Sequence, residues 1–236
     1  MILKSGYLLH HLQKKYYPYS IEKVNISHKW DILKLQQEII HTLPSKDIYY
    51  PLTEEELDDI FNGQGLILGV FVENTLIGVR VVSYWDEETK NLGRLVGIKD
   101  NELNQLVFFE ATIILKPYQG NKLQKLMIDL ASKEIKKLNT FKYFISTVSP
   151  FNYASLKSLL NTGFYIRKLV WIYENTPRYI LFKRYDQEKI FHDENFQSNK
   201  RFLIDDFSSQ RLHFDKGYRG INLIKKQHAS ILEMIL

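Results

Sequence analysis

The sequence predicts an α/β protein: a mixed, largely antiparallel sheet flanked by helices, with a small C-terminal appendage. Three observations carry that expectation. A nearly continuous apolar run, "LVFFEATIIL" (106–115), leads through a short loop and an amphipathic helix into "YFISTVS" (143–149), which makes a strand–helix–strand unit. Before it, "GLILGVFVENTLIGVRVVSYW" (65–85) reads as two strands joined by a turn at Glu73 to Thr75. After it, "FYIRKLVWIY" and "RYILFKR" flank "ENTP" as a second strand pair.

Taken in order, "YSIEKVNIS" (19–27) alternates like a half-buried strand. In "KWDILKLQQEIIHTL" (29–43), Trp30, Leu33, Ile40 and Leu43 fall near one helical face. In "PLTEEELDDIF" (51–61), Thr53 and Glu56 form a capping-box pattern, and Leu52 with Leu57 can staple the helix entry. Residues 86–105 are polar and read as a long loop. The central helix carries Leu123, Leu126, Met127, Leu130, Ile135 and Leu138 on one side. "NYASLKSLLNTGF" (152–164) is a short helix whose end at Gly163 suits a left-handed cap. The main domain is expected over residues 1–185. Residues 186–236 hold too little apolar material to fold alone and are expected as an appendage docked on it.

Composition narrows the function classes. Apolar residues at 44% and charged residues at 25% describe an ordinary globular chain. No apolar run approaches the roughly 20 residues that span a bilayer, so no membrane partner is expected. The N-terminus has a broken apolar stretch and no small-residue cleavage site, which argues against a secretory signal. There are no cysteines, which excludes disulfides, thiolate zinc sites and cysteine nucleophiles and fits the reducing cytoplasm, the expected location. The net charge is +5, and residues 186–236 carry eight acidic and eight basic side chains, so the excess lies in the first 185. A basic chain suits nucleic acid or an anionic cofactor equally. No aromatic-plus-basic strand motif or recognition helix stands out, so no nucleic-acid partner is expected.

The stretch "KPYQGNKLQKLMIDL" (116–130) concentrates the chemistry. A buried strand that feeds a helix through a tight loop aims unpaired N–H groups outward, and their dipoles favour an anion such as phosphate. Gly120 allows close approach to the backbone, and Lys116, Lys122 and Lys125 lie within reach. A plain helix start with solvated lysines is the alternative for the loop taken alone.

The order of elements, the "YQGNKLQKLM" loop and the downstream "SPFNYASLKSLLNTGF" resemble the GNAT superfamily of N-acetyltransferases over roughly residues 19–185. The family's pyrophosphate loop follows an Arg/Gln-x-x-Gly-x-Gly/Ala pattern. Gln119 matches its first position, while Lys122 stands at the first glycine and Gln124 at the glycine or alanine. Asn152, Ser155 and the Gly163–Phe164 pair follow the family's fifth strand and short helix.

The resemblance implies acetyl-coenzyme A as co-substrate, bound where the fourth and fifth strands splay. It implies backbone contacts from Ile114 and Leu115 to the pantetheine arm and the thioester. It also implies that N–H groups from Gln119 through Gly120, Asn121, Lys122 and Leu123 to Gln124 hold the pyrophosphate. Asn152 and Ser155 would contact the cofactor arm. The side chain of Lys122 can replace the close approach that glycine permits with a charge-assisted contact.

With no cysteine available for an acyl-enzyme thioester, direct attack by an amine in a ternary complex is the expected mechanism. Glu110, inside "VFFEATII", is the candidate general base, because an apolar strand should raise a carboxyl pKa by desolvation. The alternative is a glutamate at a strand bulge, paired with a lysine. Family members often place a general-acid tyrosine four residues before the glycine, and Leu159 occupies that position here.

His10–His11 and "HDE" (192–194) fit no strong metal-ligand spacing, and no metal is expected. Ser146, Ser149 and Ser155 lack nucleophile-elbow glycines. Tyr173, Arg178 and Tyr179 read as aromatic packing ahead of an acceptor pocket. The expected function is therefore N-acetylation of a small-molecule or peptide amine. A non-catalytic coenzyme A-binding module of the same fold is the alternative. The sequence fixes neither the acceptor nor the oligomeric state.

Overall fold

The computed structural model describes residues 1–43, 48–84, 86–173, 175–185, 199–227 and 229–236. The chain divides into two units, Met1–Tyr84 with Phe109–Asn139 and Trp85–Phe108 with Thr140–Leu236.

The first unit begins with Ile2–His10 (β1) and Lys15–Lys23 (β2), an antiparallel hairpin that starts well before the strand expected at residue 19. β2 pairs with Gly65–Val72 (β3), which pairs in turn with Thr75–Tyr84 (β4), both antiparallel. The β3–β4 turn holds Glu73 and Asn74 at φ 48° and 64°. Two positive φ angles give that turn the twist that matches the strands it joins. Leu106–Ile114 (β5) follows β4 in the strand order, and just past it the Leu115 N–H donates to the Ile77 carbonyl at 2.9 Å.

Helix Lys29–Ile40 (α1) buries Ile32, Leu35, Gln36 and Ile39. Trp30, expected on the buried face, is instead 67% exposed, because the inward stripe runs along the neighbouring residues. The buried Gln36 amide is satisfied at both ends: it donates to the Leu52 carbonyl at 3.0 Å and accepts from the Leu52 N–H at 2.9 Å. Leu52 leads into Glu54–Asp59 (α2), whose capping box is formed: Glu56 N–H donates to Thr53 Oγ1 at 3.2 Å, and Thr53 N–H to Glu56 Oε2 at 2.6 Å. Both helices pack on Ile67, Val79, Val81, Ala111 and Ile113 of the sheet. Leu123–Lys136 (α4) packs against β3 and β4 and buries Leu123, Met127, Ile128, Ala131 and Ile135.

In the second unit, residues 86–105 are not a loop. They form the helix Glu87–Leu95 (α3) and a 3-10 segment, Asp100–Gln105. The side chain of Asp86 caps α3, accepting from the Thr89 N–H at 2.6 Å. Gly93, which disguises the helix in the sequence, allows close packing: a Cβ there would lie 2.8 Å from Leu103 Cδ2 and 2.9 Å from Leu106 Cδ2.

β5 pairs in parallel with Tyr143–Val148 (β6) at three positions, Leu106↔Tyr143, Val107↔Phe144 and Phe108↔Ile145. β6 pairs antiparallel with Thr176–Arg184 (β8), and β8 with Tyr165–Ile172 (β7). Tyr153–Leu160 (α5) lies between β6 and β7 in the chain, and Gly163 after it sits at φ 90°.

The C-terminal residues add Asn199–Leu203 (β9), Phe207–Asp215 (α6), Arg219–Lys225 (β10) and Ser230–Ile235 (β11). β10 meets β7 at Gly220↔Ile166, β11 pairs with β10, and β9 with β11. Two polar devices hold this segment. The buried Tyr179 hydroxyl of β8 donates to Gln210 Oε1 of α6 at 2.6 Å, and Gln210 Nε2 donates to the Leu203 carbonyl at 2.7 Å. Glu233 of β11 accepts from Asn199 at 3.0 Å, Arg201 at 2.9 Å and Asn222 at 3.2 Å, which ties three strands together. Among the described residues, no helix is long and apolar enough to cross a membrane.

Candidate functional site

β5 ends at Ile114 and the chain turns through a 3-10 segment, Lys116–Tyr118, whose φ Pro117 helps fix. Gln119 is extended, Gly120 has φ +82°, and Lys122 is left-handed at φ 59° as the N-cap of α4. A glycine at position 122 would adopt that conformation without strain, which gives the family's preference a physical cause. The N–H groups of Gly120, Asn121 and Lys122 donate to no acceptor among the described residues. No acidic residue lies in the first turn of α4. Lys116 and Lys122 are exposed and form no ion pair among the described residues, whereas Lys125 pairs with Asp129 at 2.9 Å.

The loop is anchored from a distance. Asn121 Oδ1 accepts from the Leu9 N–H at 2.8 Å, and its Nδ2 donates to the Leu9 and Tyr118 carbonyls, both at 2.9 Å. The His11 N–H donates to the Pro117 carbonyl at 2.8 Å, and the His10 ring meets Tyr118 edge-on at 4.9 Å. A Cβ on Gly120 would lie 3.2 Å from His11 Nε2. The N-terminal hairpin therefore fixes the loop's shape. This signal was invisible in the sequence, because Leu9 and Asn121 are 112 residues apart.

The other expected backbone contacts are partly engaged. Gln119 Nε2 donates to the Ile114 carbonyl at 2.9 Å, and the Leu115 carbonyl accepts from the Tyr118 N–H at 2.9 Å. Leu123 is buried and offers only its backbone, while Gln124 is half-buried on the first turn of α4.

Glu110 is half-buried on β5 and accepts from the Ser83 hydroxyl of β4 at 2.5 Å. Nearby, Arg80 Nη1 donates to Thr112 Oγ1 at 2.5 Å, and the guanidinium lies 4.7 Å from the centroid of the Phe109 ring.

Arg80 is 2% exposed, and its Nε and Nη2 have no hydrogen-bond partner among the described residues. Burial pulls its pKa down to about 9, and the charge of Glu110 works the other way. Burial pushes the Tyr49 hydroxyl up, and Glu110 adds to that, so Tyr49 also lies within electrostatic reach of the carboxylate. In the sequence the only mark of Arg80 is that it is a lone arginine in the apolar strand "TLIGVRVVSY".

In the second unit, Asn152 is the N-cap of α5, and its Oδ1 accepts from the Ser155 N–H at 3.1 Å. The Asn-x-x-Ser spacing is thus also a helix cap. Leu159 is 1% exposed in the core. The Tyr153 ring lies under Lys225, and the Tyr173 hydroxyl is 3.4 Å from Thr147 Oγ1. Tyr179 and Arg178 are buried. Among the described residues, no group of three or more His, Asp or Glu side chains is placed to hold a metal, and "HDE" (192–194) lies outside those residues.

This chain has the fold of the GNAT acetyltransferases. A GNAT-family acetyltransferase from Streptococcus pneumoniae is 16% identical with a TM-score of 0.55, and the alignment covers 70% of this chain and 99% of that one. The yncA protein of Salmonella typhimurium, solved with its cofactor acetyl-CoA, is 12% identical with a TM-score of 0.53, covering 72% and 95%. An acetyltransferase of Salmonella typhimurium that modifies the N-terminal serine of ribosomal protein L7/L12 is 12% identical with a TM-score of 0.53, covering 71% and 95%. No protein-family model matches the sequence, and no curated protein matches it.

Proposed function

We propose that the chain is an N-acetyltransferase that moves an acetyl group from acetyl-coenzyme A to a primary amine by direct attack in a ternary complex. One observation carries this reading: three consecutive N–H groups, Gly120 to Lys122, without an acceptor among the described residues, at the start of a helix with no acidic first turn. Such a crescent suits a diphosphate, and Lys122 and Lys116 add charge. The glycine at φ +82° gives the backbone the curvature this needs. A neighbour of the same fold was solved with acetyl-CoA, and that supports the choice of thioester donor.

The reaction joins the acceptor nitrogen to the acetyl carbon and breaks the carbon–sulfur bond. Glu110 takes the amine proton, directly or through water, while Ser83 orients its carboxylate. Leu159 has no proton to give, so the departing thiolate takes one from water in this reading. The acceptor is a small-molecule or peptide amine. One neighbour's action on a protein N-terminus favours including peptides in the screen.

The buried Leu159 also motivates a second reading, a module of the same fold that binds coenzyme A without turnover. Amine-dependent thiol release from acetyl-coenzyme A separates the two. Under the first reading, Glu110→Gln lowers turnover about a hundredfold or more while cofactor affinity holds. Unchanged turnover would remove Glu110 as the base, and binding without release against any amine would favour the module.

A further inference from the structure

The second unit contains a cleft of about 580 Å³ that includes none of the residues placed above in the acetyl-transfer site. Its floor is aromatic. Tyr143 opens β6, Tyr165 opens β7 and Phe182 lies near the end of β8, with ring centroids 6.0 Å apart for Tyr143–Phe182 and 5.6 Å for Tyr165–Phe182. Asn152 and Ser155 follow the opposite end of β6, so within this unit the cleft lies at the other end of the strand.

Around the floor stand four cations from four separate segments: Lys99, Arg167, Arg184 and Arg219. The Arg184 guanidinium lies 5.7 Å from the Tyr143 ring centroid and that of Arg219 5.1 Å from the Tyr165 centroid. Stacked against a ring face, the Arg219 guanidinium keeps its N–H edge available to a ligand. Burial pushes the Tyr165 hydroxyl pKa up, and the charges of Arg219, Arg167 and Arg184 oppose that shift, so all three lie within electrostatic reach of it. Among the described residues of the lining the one carboxylate is Glu102, which accepts from the Tyr143 hydroxyl at 2.8 Å. Arg167, Arg219 and Lys99 form no ion pair among the described residues.

Gathering three cations that have no ion pair among the described residues, Lys99, Arg167 and Arg219, around one concave, partly buried surface is unfavourable unless an anion neutralises them. Guanidinium forks match the paired oxygens of phosphate or carboxylate. We propose that this cleft binds a small multiply charged oxyanion, a phosphorylated or polycarboxylated metabolite, at a site separate from the acetyl-transfer centre.

Inorganic pyrophosphate and citrate represent the two sources of that chemistry; each is titrated calorimetrically into the full chain in the presence of excess coenzyme A, so that a diphosphate site at the Gly120 loop is already filled and contributes no heat. The expected result is saturable binding of at least one of them. Arg167→Ser with Arg219→Ser should weaken it about a hundredfold, roughly tenfold per guanidinium, while Gly120→Val leaves it unchanged. The single changes Arg167→Gln and Arg219→Gln, each checked for an unaltered unfolding midpoint, give the same reading if the double variant folds poorly. Neither anion binding, binding that survives loss of both arginines, or binding abolished by Gly120→Val instead would overturn the proposal. None of these outcomes depends on whether acetyl-coenzyme A is the donor.

Discussion

Replacing Asn121 with alanine removes three hydrogen bonds at once: one from the Leu9 N–H and two to the Leu9 and Tyr118 carbonyls. Each is worth about 0.5–1.5 kcal/mol net, and water can reach this half-buried site, so the expected loss is about 2–3 kcal/mol. Urea denaturation measures it directly, with the midpoint falling and the slope unchanged. The same change frees the Gly120 loop from the N-terminal hairpin, so ordering the loop becomes part of the cost of ligand binding. Acetyl-coenzyme A affinity should fall about tenfold by calorimetry. Asn121→Asp is the sharper control. It keeps the size and the acceptor for Leu9 N–H but sets a carboxylate oxygen against two carbonyls, so it should destabilise at least as much as alanine. If the aspartate chain is as stable as the parent, or if alanine costs less than about 0.5 kcal/mol, the hairpin does not hold the loop.

Three further outcomes follow from the packing. Lys122→Gly relieves a left-handed backbone and should raise stability by about 0.5–1 kcal/mol in urea melts, while acetyl-coenzyme A affinity drops as the cation is lost. Tyr179→Phe leaves Gln210 Oε1 buried without its donor and should cost about 1–3 kcal/mol, a loss read from the same melts. Glu134 has its pKa held below the ordinary 4.5 by hydrogen bonds from Lys137 and Lys23. A depressed folded value means that this stabilisation is present above the unfolded pKa and disappears as pH falls through the folded one. The parent should therefore lose more stability than Glu134→Gln between about pH 5 and 3.

The elements with strong local rules could be read from the sequence alone. The capping box at Thr53, the buried run of β5 and the turn after Val72 depend on neighbours a few residues away. What escaped depended on distant partners. β1 buries only Leu8 fully, so its alternation is faint, and the Lys14 turn at φ 54° lacks a glycine. Gly93 reads as a helix breaker until Leu103 and Leu106 are seen against it. The C-terminal strands carry little core of their own and complete themselves on β7 and through Glu233, neither of which the local sequence announces. The candidate site divides in the same way. Gly120 and the helix start were readable, while the Asn121 anchor, Arg80 beside Glu110 and the cap formed by Asn152 needed three dimensions.

The most direct test is amide nuclear magnetic resonance of the isotopically labelled chain during an acetyl-coenzyme A titration. Saturable downfield shifts of the Gly120, Asn121 and Lys122 N–H signals, reproduced by coenzyme A and weakened by Lys122→Glu, are the expected result. Signals that stay in place at saturating ligand would contradict the diphosphate site, and the assignment of acetyl transfer would go with it.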